Sequence, residues 1–175
     1  MKICIIGTGY VGLVSGACFA DLGNSVCCVD NNKEKIDLLN SNQIPFFEPG
    51  LEELVSKNFS SSRLKFTTNL KLAVRNSDII FICVGTPTLK KSRSADLRQV
   101  FKVATDVSKY INRFKIIVTK STVPVTTGDK IEKLILNKKR KNKVKMLKKK
   151  VIVLKKEVVL SPFKKSKIAP KRKLN

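Results

Sequence analysis

The sequence predicts an α/β fold: an open, doubly wound parallel sheet of strand order 3-2-1-4-5, followed by a basic C-terminal segment expected to be poorly ordered. Three observations predict it. The chain opens on a short apolar run, Ile3-Cys4-Ile5-Ile6, of the kind a strand buried on both faces requires, and the run breaks into Gly7, Gly9 and Gly12. A second strand pattern, Ser25 to Asp30, ends in a carboxylate about twenty positions on. Three further strands follow, separated by helical patterns, and right-handed crossovers between such units generate this order.

Gly7, Gly9 and Gly12 form G-x-G-x-x-G between a strand and a helix, the context in which the motif carries meaning. Gly7 permits the tight turn, Gly9 lets a pyrophosphate approach the backbone, and Gly12 lets the helix pack close to the strand. The amides at the helix start then face an anion. A helix over Leu13–Leu22 follows, rich in small residues (Ser15, Gly16, Ala17, Ala20), and Gly23 and Asn24 end it. Asp30 either caps the next helix or accepts a hydrogen bond from a ribose 2′-OH. The joint presence of strand, glycines, helix and acid favours the ribose role, and with it NAD over NADP, because a carboxylate repels a 2′-phosphate.

Asn31 or Asn32 can cap a helix running through Ile36, Leu38 and Leu39. Lys35 on its first turns reads equally as a solvated side chain or as a neighbour of the adenosine ribose. Pro45 and Pro49 mark turns, and Pro49 suits the first position of a short helix. Residues 64–68 alternate as a strand, and Asn69 can cap a short helix through Leu72 and Val74. Asp78 to Val84 is the strongest buried strand and ends in Gly85-Thr86-Pro87. Such a loop leaves the carboxyl end of a central strand, where parallel sheets place ligands. Asp96 to Tyr110 reads as a helix, and the strand Lys115–Thr119 delivers Lys120-Ser121-Thr122-Val123-Pro124 to the same edge.

The 175 residues carry 36 Lys+Arg against 13 Asp+Glu, and the excess is unevenly spread. Residues 1–133 hold 19 basic and 12 acidic side chains, whereas residues 134–175 hold 17 basic and one acidic, Glu157. Five cysteines without C-x-x-C spacing read as small buried hydrophobes in a reducing compartment. The absence of histidine removes the commonest general base and metal ligand, and no metal is expected. With no signal-like leader and no 18-residue apolar run, the chain is expected to be soluble, cytoplasmic and free of membrane.

The segments I-G-T-G-Y-V-G-L-V-S-G-A-C-F-A (6–20), I-P-F-F-E-P-G-L-E-E-L (44–54), G-T-P (85–87), S-A-D-L (94–97) and K-S-T-V-P-V (120–125) resemble the UDP-glucose 6-dehydrogenase family. The match runs in order over residues 1–133, and the K-S-T-V-P-V form is closer to the UDP-glucose enzymes than to their GDP-mannose relatives. The resemblance implies a Rossmann-type NAD-binding domain. It also implies oxidation of UDP-glucose to UDP-glucuronate with reduction of two NAD, a step toward polysaccharides. Carried over by residue, Gly7, Thr8, Gly9, Tyr10, Val11 and Gly12 would cradle the pyrophosphate, with Val11 against the cofactor. Asp30 and Lys35 would hold the adenosine side, and Cys83, Val84, Gly85, Thr86 and Pro87 would line the cleft. Ser121, Thr122 and Val123 would lie beside the nicotinamide, and Thr122 resembles the threonine that helps position a catalytic water. By spacing alone, the Thr122 hydroxyl would serve its own turn.

Phe47 stands where the family commonly has Tyr, Thr126 where Gly is common, and Lys90, Lys91 and Arg93 occupy a loop that is usually acidic or glycine-rich. The larger departure follows Lys133. The family's chemistry implies a cysteine thiolate in a second domain, with substrate-binding Lys and Asn and an aspartate, and none of these has a match here. Cys83 cannot substitute, since a core strand offers nothing to lower its pKa. The chain is therefore expected to be a truncated NAD-binding half (1–133) that binds NAD without turnover, joined to a Lys-rich segment (134–175) that lacks the family's N-P-E-F motif. That segment is too charged to bury much surface. It reads either as a nucleic-acid-binding tail, on a non-enzymatic basic protein, or as adenine-rich DNA translated out of frame. Codons exist for Glu157–Pro162 whose shifted frame reads Gly-Ser-Ala-Ile-Ala, like the stretch after N-P-E-F.

Overall fold

The computed structural model describes residues 1–90, 94–141 and 151–154. The sheet is wholly parallel, built from β1 (Lys2–Ile6), β2 (Ser25–Val29), β3 (Leu64–Thr67), β4 (Ile79–Ile82), β5 (Lys115–Thr119) and β6 (Val151–Leu154) in the order β3-β2-β1-β4-β5-β6. The expected order 3-2-1-4-5 is therefore present, and β6 is added beside β5 from a segment expected to be poorly ordered. Helices α1 (Tyr10–Asp21), α2 (Lys33–Asn40), α3 (Leu51–Ser60), α4 (Leu70–Asn76), α5 (Arg98–Tyr110) and α6 (Thr127–Lys141) connect the strands, and α6 runs on past Lys133. Lys91, Arg93 and most of the basic segment, including Glu157–Pro162, lie outside the described residues.

Alternation along β1 explains why its sequence is continuously apolar. Ile3 and Ile5 enter a core with Leu13, Ala17 and Ala20 of α1, Leu39 of α2 and Val55 of α3. Cys4 and Ile6 enter the opposite core with Val74 of α4, Val100 and Ala104 of α5 and Ile131 and Ile135 of α6. Both faces are thus covered by helices, as a parallel sheet demands. On α1, a Cβ at Gly16 would lie 2.6 Å from Cys28 Sγ, so this glycine sets how closely the helix sits on β2.

Register decides where the chemistry lies. Val29 pairs with both Ile6 and Thr67, Ile6 with Ile82, and Ile82 with Thr119, so these residues form one row across the sheet. Gly7, Asp30, Thr68, Cys83 and Lys120 each follow a member of that row and emerge at one edge.

Several local expectations need correction. α1 begins at Tyr10 rather than Leu13, because Gly9 takes the N-cap position and its carbonyl accepts from the Leu13 amide. Pro49 lies outside α3, since Gly50 is the N-cap, in the left-handed region at φ 75°. α5 starts at Arg98, because Asp96 is turned into a loop bond to the Pro87 carbonyl and its carboxylate accepts from the Arg98 amide. Asn32 and Asn69 do cap α2 and α4, accepting from Lys35 and Leu72 amides at 3.0 Å. Cys4 and Cys28 are buried as expected, but Cys18 is exposed on α1. No described helix is long and apolar enough to cross a membrane.

Candidate functional site

The glycine turn is held by its surroundings at two of its three positions. Gly7 has φ +100°, and a Cβ there would lie 2.8 Å from the Cys83 carbonyl oxygen. A Cβ at Gly12 would lie 1.8 Å from the Gly7 carbonyl oxygen. Gly9 differs, because nothing lies within 4 Å of the Cβ it lacks. The protein's own packing therefore does not require glycine at position 9, whereas an anion brought against the backbone does. With no side chain capping α1 and no acid in its first turn, the amides at that terminus face this open space.

Asp30 lies beside the turn at the end of β2. The Thr8 amide and hydroxyl both donate to its Oδ2, at 2.9 and 2.8 Å, and the Asn32 amide donates to Oδ1 at 3.1 Å. Lys35 Nζ is 3.6 Å from Oδ2. Burial works to raise the pKa of the carboxyl, but these hydrogen bonds and the Lys35 charge outweigh it and hold Asp30 below its ordinary value. The group is an anion at neutral pH.

A cleft of about 630 Å³ runs along this edge. Gly7, Gly9, Asp30, Lys35, Cys83, Val84 and Gly85 line it among the predicted residues. Asn31, Thr68, Leu70, Gln99, Lys102, Val103 and Asp106 line it as well, and the sequence reading missed them. Gln99, Val103 and Asp106 recur at helical spacing on α5, a signal that marks a shared face but not what the face meets.

Thr86, Pro87, Ser121, Thr122 and Val123 lie on the two loops that follow β4 and β5 and are not among the residues lining this cleft. Ser121 Oγ donates to the Val84 carbonyl at 2.6 Å, and Thr86 Oγ1 donates to the Thr122 carbonyl at 3.0 Å. The loops after β4 and β5 are thereby tied together. Thr122 is exposed, and no described hydrogen bond commits its hydroxyl to the turn; Val123 is partly buried and Pro87 exposed. Tyr10 and Val11 stand exposed at the start of α1, with the Tyr10 ring 4.0 Å from that of Phe46. Burial pushes the Cys83 thiol up to about 11, Lys120 opposing the shift, so it is not a nucleophile at neutral pH. Among the described residues no group of three or more His, Cys, Asp or Glu could hold a metal ion.

The model of the NAD-binding domain of the UDP-glucose/GDP-mannose dehydrogenase family matches residues 1–163. The chain belongs to that family. UDP-glucose 6-dehydrogenase of Rhizobium meliloti is 53% identical over 135 residues, covering 77% of this chain and 31% of that protein. UDP-glucose 6-dehydrogenase TuaD of Bacillus subtilis is 50% identical over 134 residues, 77% of this chain and 29% of that protein. Among solved structures, a ternary complex of GDP-mannose dehydrogenase from Pseudomonas aeruginosa superposes with a TM-score of 0.79 at 36% identity, covering 87% of this chain and 35% of that one. A UDP-glucose dehydrogenase from Pyrobaculum islandicum gives 0.77 at 34%, over 86% and 34% of the two chains. The chain thus spans about three-tenths of the length of the curated relatives it matches.

Membership of the UDP-glucose/GDP-mannose dehydrogenase family identifies the cofactor class as NAD. The cleft fits it on structural grounds, with an uncapped helix terminus beside Gly9 for the pyrophosphate and a fixed carboxylate at the end of β2 for a ribose. Several site residues are placed differently from their expected roles: Thr86 and Pro87, expected to line the cleft, and Tyr10, Val11 and Gly12, expected to cradle the pyrophosphate, are not among its lining residues. Thr8 is fully buried, so its side chain contacts Asp30 rather than the cleft.

Proposed function

We propose that the chain binds NAD in this cleft and forms the NAD-binding part of a UDP-glucose 6-dehydrogenase, converting UDP-glucose to UDP-glucuronate. The observation that carries this is Gly9: an open glycine at an uncapped helix start, on the same sheet edge as an anionic Asp30. In this reading the amides from Gly9 to Gly12 hold the pyrophosphate, with Tyr10 and Val11 at its margin. Asp30 and Lys35 take the adenosine ribose. Val84, Gly85, Thr86 and Pro87, with Ser121, Thr122 and Val123, form the nicotinamide end, and Thr122 offers its hydroxyl to a water.

Bound NAD supplies the hydride acceptor. The residues of the cleft bind, orient and exclude water, but its cysteine, Cys83, is no competent thiolate, being buried with its pKa raised; Cys4 and Cys28, in the cores on either side of the sheet, are shifted upward by burial as well. An odd set of five cysteines without C-x-x-C spacing is a poor disulfide framework, which supports a reducing, cytoplasmic setting. No observation among the described residues favours the nucleic-acid reading of the basic segment.

Calorimetry with NAD and NADP tests the proposal. NAD binding with NADP disfavoured is expected, and no heat or change in melting temperature at millimolar NAD overturns it. Pure chain given UDP-glucose and NAD is expected to produce no absorbance at 340 nm; steady NADH formation refutes the assignment of the thiol chemistry to residues outside this chain.

A further inference from the structure

We propose that Thr8, between the first two glycines of the motif, is a positioning residue for ribose recognition: it occupies Oδ2 of Asp30 with both of its donors, leaving Oδ1 for the ribose. This rests on the NAD reading above. An ionised carboxylate offers about four acceptor sites, two per oxygen. Oδ2 receives the Thr8 amide at 2.9 Å and the Thr8 hydroxyl at 2.8 Å. Oδ1 receives the Asn32 amide at 3.1 Å and keeps one site. Thr8 has no exposed surface, so the hydroxyl has no competing water and holds the carboxylate in one rotamer.

That hold has a consequence for specificity. A carboxylate pinned in the ribose position repels a 2′-phosphate, whereas one that has lost the Thr8 hydroxyl is held only by the Thr8 and Asn32 amides and can shift, leaving the Lys35 cation less compensated beside that position. Thr8 therefore sets the ratio of NAD to NADP affinity without touching either cofactor.

The test compares wild type with Thr8→Val, Thr8→Ala and Thr8→Ser, measuring dissociation constants for NAD and NADP by calorimetry and the Asp30 carboxyl titration in free protein by carbon-13 NMR. Loss of the hydroxyl is expected to weaken NAD about tenfold, as removal of one charge-assisted hydrogen bond does, and to weaken NADP less. The Asp30 titration moves up toward the ordinary carboxylate value in the Thr8→Val and Thr8→Ala proteins, and Thr8→Ser restores wild-type behaviour. Once Asp30→Ala is in place, adding Thr8→Val is expected to leave NAD affinity unchanged, since Thr8 acts through Asp30; a further tenfold loss in the double variant overturns that route. Folded Thr8→Val or Thr8→Ala protein with an unchanged NAD to NADP ratio and an unchanged Asp30 titration overturns the inference. If Thr8→Val fails to fold, the Thr8→Ala and Thr8→Ser proteins decide it. Absence of NAD binding by wild type overturns the cofactor reading instead, and the ribose role with it.

Discussion

Replacing Gly9 and Gly12 separately by alanine divides the requirements of the fold from those of the ligand. In a helix interior, Gly to Ala ordinarily stabilises by roughly 1 kcal/mol through lost backbone freedom in the unfolded chain. At Gly12 the new Cβ would lie 1.8 Å from the Gly7 carbonyl oxygen, 2.9 Å from the Gly7 carbonyl carbon and 3.3 Å from Cys83 Cβ, and the first separation has to open to at least 3.0 Å. Both obstructing groups are fixed: the Gly7 amide donates to the Val29 carbonyl at 2.8 Å and the Cys83 amide to the Ile6 carbonyl at 2.8 Å. α1 must therefore lift from the sheet and unpack Leu13, Ala17 and Ala20. Such overpacking costs about 3 kcal/mol or more, a large part of a domain stability of roughly 5–15 kcal/mol. At Gly9 nothing obstructs the new methyl, and the backbone at φ −75°, ψ −172° suits alanine, so the loss is limited to about 1 kcal/mol from the poorer N-cap. Gly9→Ala is expected to keep a near wild-type melting curve by circular dichroism while binding NAD at least tenfold more weakly; Gly12→Ala melts far lower. A Gly9→Ala protein with undiminished NAD affinity, or a Gly12→Ala protein as stable as wild type, refutes the division.

Two further outcomes concern stability. Lys115 is fully buried, and its ammonium donates to the Arg75 carbonyl at 3.0 Å and to the Ser77 carbonyl at the end of α4. Burial, with the Arg113 charge, pushes its pKa down to about 8 from 10.5. Between those values the unfolded chain holds a proton that the native chain has released, so stability rises as pH rises through that window. Urea midpoints at pH 8, 9 and 10 should climb more steeply in wild type than in Lys115→Met; parallel profiles contradict the assignment. Thr119 carries a buried hydroxyl with no hydrogen-bond partner among the described residues. Thr119→Val is expected to stabilise by about 1 kcal/mol, raising the melting temperature by roughly 3 °C, and a lowered value would show that the hydroxyl is satisfied.

Much of the architecture was legible because it rests on local patterns. An apolar run that must be buried on both faces, followed by glycines, has few structural solutions, and the β1 turn is the one observed. Asp30 was legible for the same reason: a carboxylate ending the second strand follows from counting. Boundaries moved where a single cap won over periodicity, as Gly9 did for α1 and Gly50 for α3. The sixth strand was not legible, since a four-residue apolar piece among lysines becomes a strand only when an open edge such as β5 accepts it.

The residue types, their spacing and the order of the strands determined by themselves that this chain carries a nucleotide-binding turn with an acid opposite it. The tertiary structure alone decided which glycines the fold requires and which one its packing leaves free, because only the position of Gly7 and Cys83 in space shows what a side chain would strike. It likewise turned Thr8 inward onto Asp30, 22 positions away, and brought Gln99, Val103 and Asp106 of α5 across to the cleft. Local sequence cannot encode which distant surface a side chain will meet once the sheet is assembled, a step governed by burial of the whole core rather than by any one segment.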